Sequence, residues 1–186
     1  MKQIVVFPLF LFSFVSILGQ ELPIFKFGFN AGYGFSSITS SDNRFSINGN
    51  IGIFVSLFQN RLIFKKYENV NFAVLGDHEV EVTSYMLMYG RSFNIKKGEG
   101  LFNIPTEGNI IASVGISHNV ENFRGQKLSF NTTYEVDKRE FVGVPISIEL
   151  EATLWSLVGL NTVVFFNYAN ATNIYGVSFN ILVGIF

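Results

Sequence analysis

Tyr175-Gly-Val-Ser-Phe-Asn-Ile-Leu-Val-Gly-Ile-Phe186 alternates from its first residue to Ile185. Tyr175, Val177, Phe179, Ile181, Val183 and Ile185 form one row; Gly176, Ser178, Asn180, Leu182 and Gly184 form the other. Successive side chains of a strand point to opposite faces, so period two predicts a strand with one fully apolar face and one mostly small or polar face. Phe186 stands one position off the apolar row and ends the segment on an aromatic side chain.

The same pattern recurs in both directions along the chain. From Ile24 to Ser36 an aromatic row (Phe25, Phe27, Phe29, Tyr33, Phe35) opposes Lys26, Gly28, Asn30, Gly32 and Gly34. From Arg44 to Leu57, Ile47, Ile51, Ile53 and Val55 oppose Ser46, Asn48, Asn50 and Ser56. Arg61–Leu75 is less regular, because Lys66 and Glu68 interrupt the row of Leu62, Phe64 and Val70; a face-switching bulge is the expected repair. A fourth strand is expected over 79–93, with Val82, Met86 and Met88 on one row and Glu79, Glu81, Tyr85 and Arg91 on the other. Lys96–Gly108 reads as a long turn, and Asn109–Asn119 as the fifth strand. The apolar parity of Val142–Leu154 extends back through Val136, Tyr134 and Phe130, so the sixth strand should begin far out in the polar interval 119–140. A seventh strand over Gly159–Asn170 and the closing strand bring the tally to eight.

Hydrophobic residues make up 48% of the 186-residue chain, yet charge is only 15% and 22 residues are Phe. That balance suits an outer surface that meets lipid. A formal net charge of −1 supplies no basic stripe for nucleic acid, and the absence of Cys removes disulfides and thiolate chemistry. Residues 1–19, with Lys2 ahead of an apolar run, read as a signal peptide, leaving 20–186 as one domain. No later run is long enough for a membrane-spanning helix, which needs about twenty apolar residues. A closed barrel is then the way to satisfy every backbone group in hydrocarbon. The expected fold is all-β: an eight-stranded antiparallel up-and-down transmembrane β-barrel in a bacterial outer membrane, with both termini periplasmic. Tyr33, Phe35 and Tyr168 should form the outer aromatic girdle, and Phe58 and Trp155 the periplasmic one.

Lys26-Phe-Gly-Phe-Asn-Ala-Gly-Tyr-Gly-Phe35, Val144-Pro-Ile-Ser-Ile-Glu-Leu150 and Asn167-Tyr-Ala-Asn170 resemble the small OmpA- and OmpX-like barrels, the porin-like outer-membrane β-barrel domain family. The resemblance covers the mature chain and carries pattern motifs rather than chemistry. It implies outer-membrane lipid and lipopolysaccharide as surroundings and barrel-assembly machinery during insertion.

Candidate chemistry is sparse. Lys26, Arg91, Glu149 and Glu151, with Glu79 and Glu81, are expected to point into a lumen just wide enough for side chains to fill, forming an ion-pair network that plugs it. A narrow porin-like pore for small solutes is the alternative use of the same residues. A lipid A-modifying enzyme would need a Ser and a His acting together, but adjacent Ser117 and His118 face opposite sides of a regular strand. His78 has Asp77 and Glu79 beside it but no third strong ligand of known position, so no metal and no cofactor is expected. The leading expectation is non-enzymatic: a surface-interaction or envelope-structural role through the protruding 119–140 hairpin, with a surface protein as partner.

Overall fold

The computed structural model describes residues 25–39, 43–71, 80–99, 105–127, 134–155 and 157–185. The expected leader over 1–19, His78 and Phe186 lie outside these residues. Eight strands follow one another: β1 (Phe25–Thr39), β2 (Asn43–Leu57), β3 (Asn60–Asn71), β4 (Val80–Glu99), β5 (Pro105–Lys127), β6 (Tyr134–Trp155), β7 (Val158–Ala169) and β8 (Asn173–Ile185). Each pairs antiparallel with its sequence neighbour, and β8 returns to β1, from Phe27 opposite Ile185 to Thr39 opposite Asn173, closing the barrel. We call the end holding Phe25 and Ile185 the terminal end and the opposite one the loop end.

Closure converts the sequence alternation into an inside and an outside. On β8 the outward Tyr175, Phe179, Ile181, Val183 and Ile185 are exposed, while Ser178, Asn180 and Leu182 are buried. The outward rows of the other strands are likewise mostly apolar and exposed. A contiguous apolar band of that extent is far larger than the patches a water-exposed monomer tolerates. The inward rows mix small, amide and charged residues with a few bulky apolar ones.

Four expectations are corrected. First, β3 contains no face-switching bulge: its register with β2 and with β4 is continuous. Arg61, Ile63, Lys65, Tyr67 and Asn69 face inward, and Lys66 and Glu68 stay on the outward row, ion-paired to each other. Lys66 also sits over the Tyr85 ring, 5.9 Å from its centroid. Second, β4 presents the opposite faces to those expected. Val82, Met86 and Met88 are buried, and Tyr85, Leu87 and Tyr89 are outside. Both rows are apolar enough to face either way; tyrosine suits an interface with its polar tip, and methionine fills irregular interiors. Third, the turn expected over Lys96–Gly108 is largely strand, since β4 runs to Glu99 and β5 starts at Pro105, with a register irregularity between Ile95 and Gly98. Fourth, β5 continues past Asn119 to Lys127.

Two local features depart from ideal ladders. Phe58 and Gln59 alone join Leu57 to Asn60, and Phe58 carries a φ of 54°. The β5–β6 pairing is interrupted after Val114–Ile146 and resumes at Ser117–Gly143, a gap that spans Pro145. Proline has no N–H to donate to a ladder, which accounts for the gap.

Candidate functional site

The inward side chains of β3 cross the lumen. Arg61 Nη1 donates to Glu151 Oε2 on β6 at 2.5 Å, and Arg61 Nε donates to Ser56 Oγ at 2.9 Å. Asn109 Nδ2 approaches the same carboxylate at 3.4 Å. Lys65 is ion-paired with Glu149, whose other oxygen accepts from Asn161 Nδ2 at 2.9 Å. One step toward the loop end, the Tyr67 ring meets Phe165 of β7 with centroids 4.6 Å apart. These three contacts form a septum from β3 to β6 and β7. Both ion pairs are almost fully buried, and Arg61, Glu149 and Glu151 each make a further hydrogen bond, which helps a buried charge to be tolerated.

Polar closures lie toward the loop end. Ser117 Oγ donates to Asn167 Oδ1 at 2.8 Å, Asn167 Nδ2 to Asn119 Oδ1 at 2.8 Å, and Asn119 Nδ2 to Ser117 Oγ at 3.0 Å, a cyclic trio. Ser36 links two more side chains without closing a cycle: its Oγ lies 2.7 Å from Ser46 Oγ and donates to Asn69 Oδ1 at 2.8 Å. Farther out, Arg139 is ion-paired with Glu121, and Arg139 Nη2 donates to Thr172 Oγ1 at 2.9 Å.

Of the residues expected to line the lumen, Glu149 and Glu151 face each other's neighbours as partners of the septum, and Lys26 is buried on the inward row at the terminal end, opposite Ser56. Arg91 shares its parity with the exposed Tyr89 and Phe93, yet is buried beside the β2–β3 turn, where its Nη2 donates to Gln59 Oε1 at 2.9 Å. The cations that meet the two glutamates, Arg61 and Lys65, were not anticipated. A bulge-free reading of β3 would have found them, because positions 61 and 65 then share the inward row. Side chains of Tyr33, Phe35, Phe58 and Tyr168 point outward, and Trp155 closes β6 at the terminal end.

Beyond the closed wall, β5 and β6 continue as a ribbon. The last β6 residue paired to β7 is Gly143, opposite Ala169, and the β4–β5 pairing ends at Val80 with Phe123. Residues 134–142 of β6 therefore have β5 on one side and, among the described residues, no paired strand on the other. Asp137, Lys138, Arg139 and Glu140 are exposed there, with Lys138 Nζ 2.6 Å from Glu140 Oε1. The ammonium of Lys138 holds the Glu140 carboxyl below the ordinary carboxylate range. Ser117 is buried inward, whereas His118 faces out, with Nε2 3.7 Å from Glu140 Oε2.

The geometry defines a class: a small, closed, eight-stranded antiparallel barrel with buried ion pairs across its lumen and an apolar outer wall. No family model and no curated protein matches the chain by sequence. Solved structures do match by fold. Neisserial surface protein A is 13% identical with a TM-score of 0.65, the match covering 84% of this chain and 96% of that one. Ail, the attachment invasion locus protein of Yersinia pestis, is 12% identical with a TM-score of 0.58, covering 87% and 98%. The N-terminal β-barrel domain of Pseudomonas aeruginosa OprF is 13% identical with a TM-score of 0.51, covering 84% and 96%. At such identities the likeness is one of fold.

Proposed function

We propose that the protein is an integral bacterial outer-membrane barrel with a plugged lumen, non-enzymatic, whose β5–β6 ribbon mediates surface interaction or supports the envelope. The exposed apolar outer wall requires lipid around it, and the outer-membrane fold neighbours supply the compartment. The terminal end is then periplasmic, and the ribbon stands outside the cell. The observation that carries the role is the β6 edge at residues 134–142, which pairs with no further strand among the described residues. A strand edge offers a row of backbone donors and acceptors to which a partner strand can add. Mixed charges along it, Asp137-Lys-Arg-Glu140, disfavour indiscriminate self-pairing and favour a partner strand carrying charges of both signs. Ail has been seen with the heparin analogue sucrose octasulfate; the balanced charge here favours a protein partner over a polyanion.

Deletion of residues 124–135 is the test. Loss of surface binding or of envelope integrity, with the barrel still shifting mobility between unheated and boiled gel samples, is the expected result. Unchanged phenotypes in a correctly inserted variant would refute the role. An ion-conducting pore is the rival reading, and the buried Arg61–Glu151 and Lys65–Glu149 pairs stand against it. Planar bilayers containing the protein should be silent; discrete steps that respond to Glu149→Gln would favour the pore.

A further inference from the structure

On the outer wall, the outward row of β3 changes character midway. Leu62 and Phe64 are followed by the ion-paired Lys66 and Glu68, and Val70 resumes the apolar row beyond them. On the neighbouring strands the wall also continues toward the loop end, through Ile47 of β2 and Phe35 of β1, both exposed. The ion pair is therefore set within the apolar band rather than past its edge. A charge on the lipid-facing side of a barrel is costly at the bilayer midplane and tolerated nearer the surface. Ionisable groups held inside a membrane band are accordingly read as sites, with a partner for each charge.

Register builds a hollow beside the pair. Tyr33 lies opposite Gly49, and Gly49 opposite Glu68. One row nearer the terminal end, Ala31 lies opposite Ile51, and Ile51 opposite Lys66. These six outward residues surround a depression of about 220 Å³. Gly49 and Ala31 make its floor. A Cβ on Gly49 would meet nothing nearer than Tyr33 Cε1 at 3.6 Å, so the missing side chain leaves open space there. One side of the hollow is the Tyr33 ring, which at 76% exposed has little packing within the chain and a face to offer a guest. The other side is Lys66 and Glu68, both partly exposed.

Adjacent charges of opposite sign offer no net attraction to a simple anion or a simple cation. They match a group that carries both signs a few bonds apart. We propose that the hollow binds a lipid with a phosphoethanolamine headgroup, its phosphate at Lys66 and its ammonium at Glu68. The ammonium donates N–H bonds to the carboxylate, which a quaternary choline nitrogen has no hydrogen to do. The Tyr33 ring face adds a cation–π contact to the same ammonium. From the hollow an acyl chain runs toward the terminal end over Ile51 and then the Ile53–Phe64 pair, all exposed on the same wall. Phosphatidylethanolamine and a lipid A decorated with phosphoethanolamine share this chemistry. The site rests on the barrel lying in a bilayer and is independent of the ribbon's role.

The test is native mass spectrometry of the full-length protein in detergent, offered phosphatidylethanolamine, phosphatidylcholine and phosphatidylglycerol in equal amounts. One phosphatidylethanolamine should be retained at several-fold higher occupancy than either competitor. Gly49→Leu, which fills the hollow from its floor, should abolish that retention, and Glu68→Gln should reduce it to the phosphatidylcholine level. Lipid A with and without a phosphoethanolamine substituent forms the second arm: preference for the decorated form supports the site, and whichever of it and phosphatidylethanolamine is held more tightly is the source. Equal retention of the three phospholipids by the wild type overturns the proposal without recourse to any variant. So does a folded Gly49→Leu protein that holds phosphatidylethanolamine as the wild type does. Heat-modifiable mobility reports the barrel separately, so a folded wild type indifferent to headgroup refutes the site alone, and a wild type lacking that mobility refutes the membrane barrel.

Discussion

Phe58 holds a conformation that its side chain disfavours. A φ of 54° places it in the left-handed region, at the first central position of a two-residue hairpin, where glycine is the usual occupant. The left-handed backbone costs an L residue roughly 1–2 kcal/mol, and here the ring is 58% exposed and recovers little of that by packing within the chain. Its position at the terminal end makes the membrane interface the natural place for the ring. Comparing two truncations separates the effects, because both remove the ring and only one relieves the backbone. Phe58→Gly should be more stable than Phe58→Ala by about 1 kcal/mol in urea titrations of the folded, heat-modifiable band. Equal stabilities would show that the turn carries no strain of that kind.

At the scale of the element, the inward face of a small barrel explains which glycines matter. Inward Cβ positions converge on the axis, so a side chain there competes with the neighbouring strand. A Cβ at Gly34 would lie 1.9 Å from the Val177 carbonyl oxygen and 2.5 Å from Ser178 Cα, which are backbone and cannot step aside. Gly49 is different: it faces outward, and its nearest heavy atom would be Tyr33 Cε1 at 3.6 Å, ordinary contact. Gly34→Ala should therefore impair barrel closure, read as a sharply reduced folded fraction. Gly49→Ala should leave it unchanged or raise stability by roughly 0.5 kcal/mol through reduced chain entropy. Similar losses from both would mean that position on the wall does not matter.

Element identity was legible because period two is carried by residues such as Phe25–Phe35 and Tyr175–Ile185, where the two rows differ in chemistry. It failed where they do not. On β4 the Met86–Met88 row and the Tyr85–Leu87 row are both apolar, and only the packing inside the barrel assigns the methionines inward. On β3 the charged pair Lys66–Glu68 suggested a defect, whereas it sits undisturbed on the outer face beside Tyr85. That one misreading hid Arg61 and Lys65, and with them half of the septum. The glutamates were legible alone, since Glu149 and Glu151 oppose the unbroken row of Ile146, Ile148 and Leu150.

For the molecule as a whole, the septum couples strands that share no ladder. Lys65 and Glu149 belong to β3 and β6, and their pair lies in a dry interior. Removing one charge strands the other, which costs about 3–5 kcal/mol, whereas replacing both by apolar groups of like volume is often neutral or better. Glu149→Gln should lower the urea midpoint markedly, and Lys65→Met with Glu149→Leu should recover most of the loss. If the double variant is as unstable as the single one, the pair is needed for more than mutual neutralisation. The outer wall sets the other global requirement, since its apolar rows leave detergent or lipid as the only media in which the midpoint is measurable.

The junction of β1 with β8 has a consequence for assembly. It contains thirteen paired positions, and along its inward side Gly28 meets Gly184, Asn30 meets Leu182, Gly32 meets Asn180, Gly34 meets Ser178, Ser36 meets Gly176 and Ile38 meets Ile174. At the other joints, bulky or charged side chains must find their places across the lumen. Where the first strand meets the last, bulk is confined to Leu182 and the Ile38–Ile174 pair, no inward charge lies along the line from Gly28 to Ile38, and the cylinder can be sealed largely by two backbones sliding into alignment. A ring of this kind is best fastened at its barest line, because that clasp can snap shut after everything inside has been arranged.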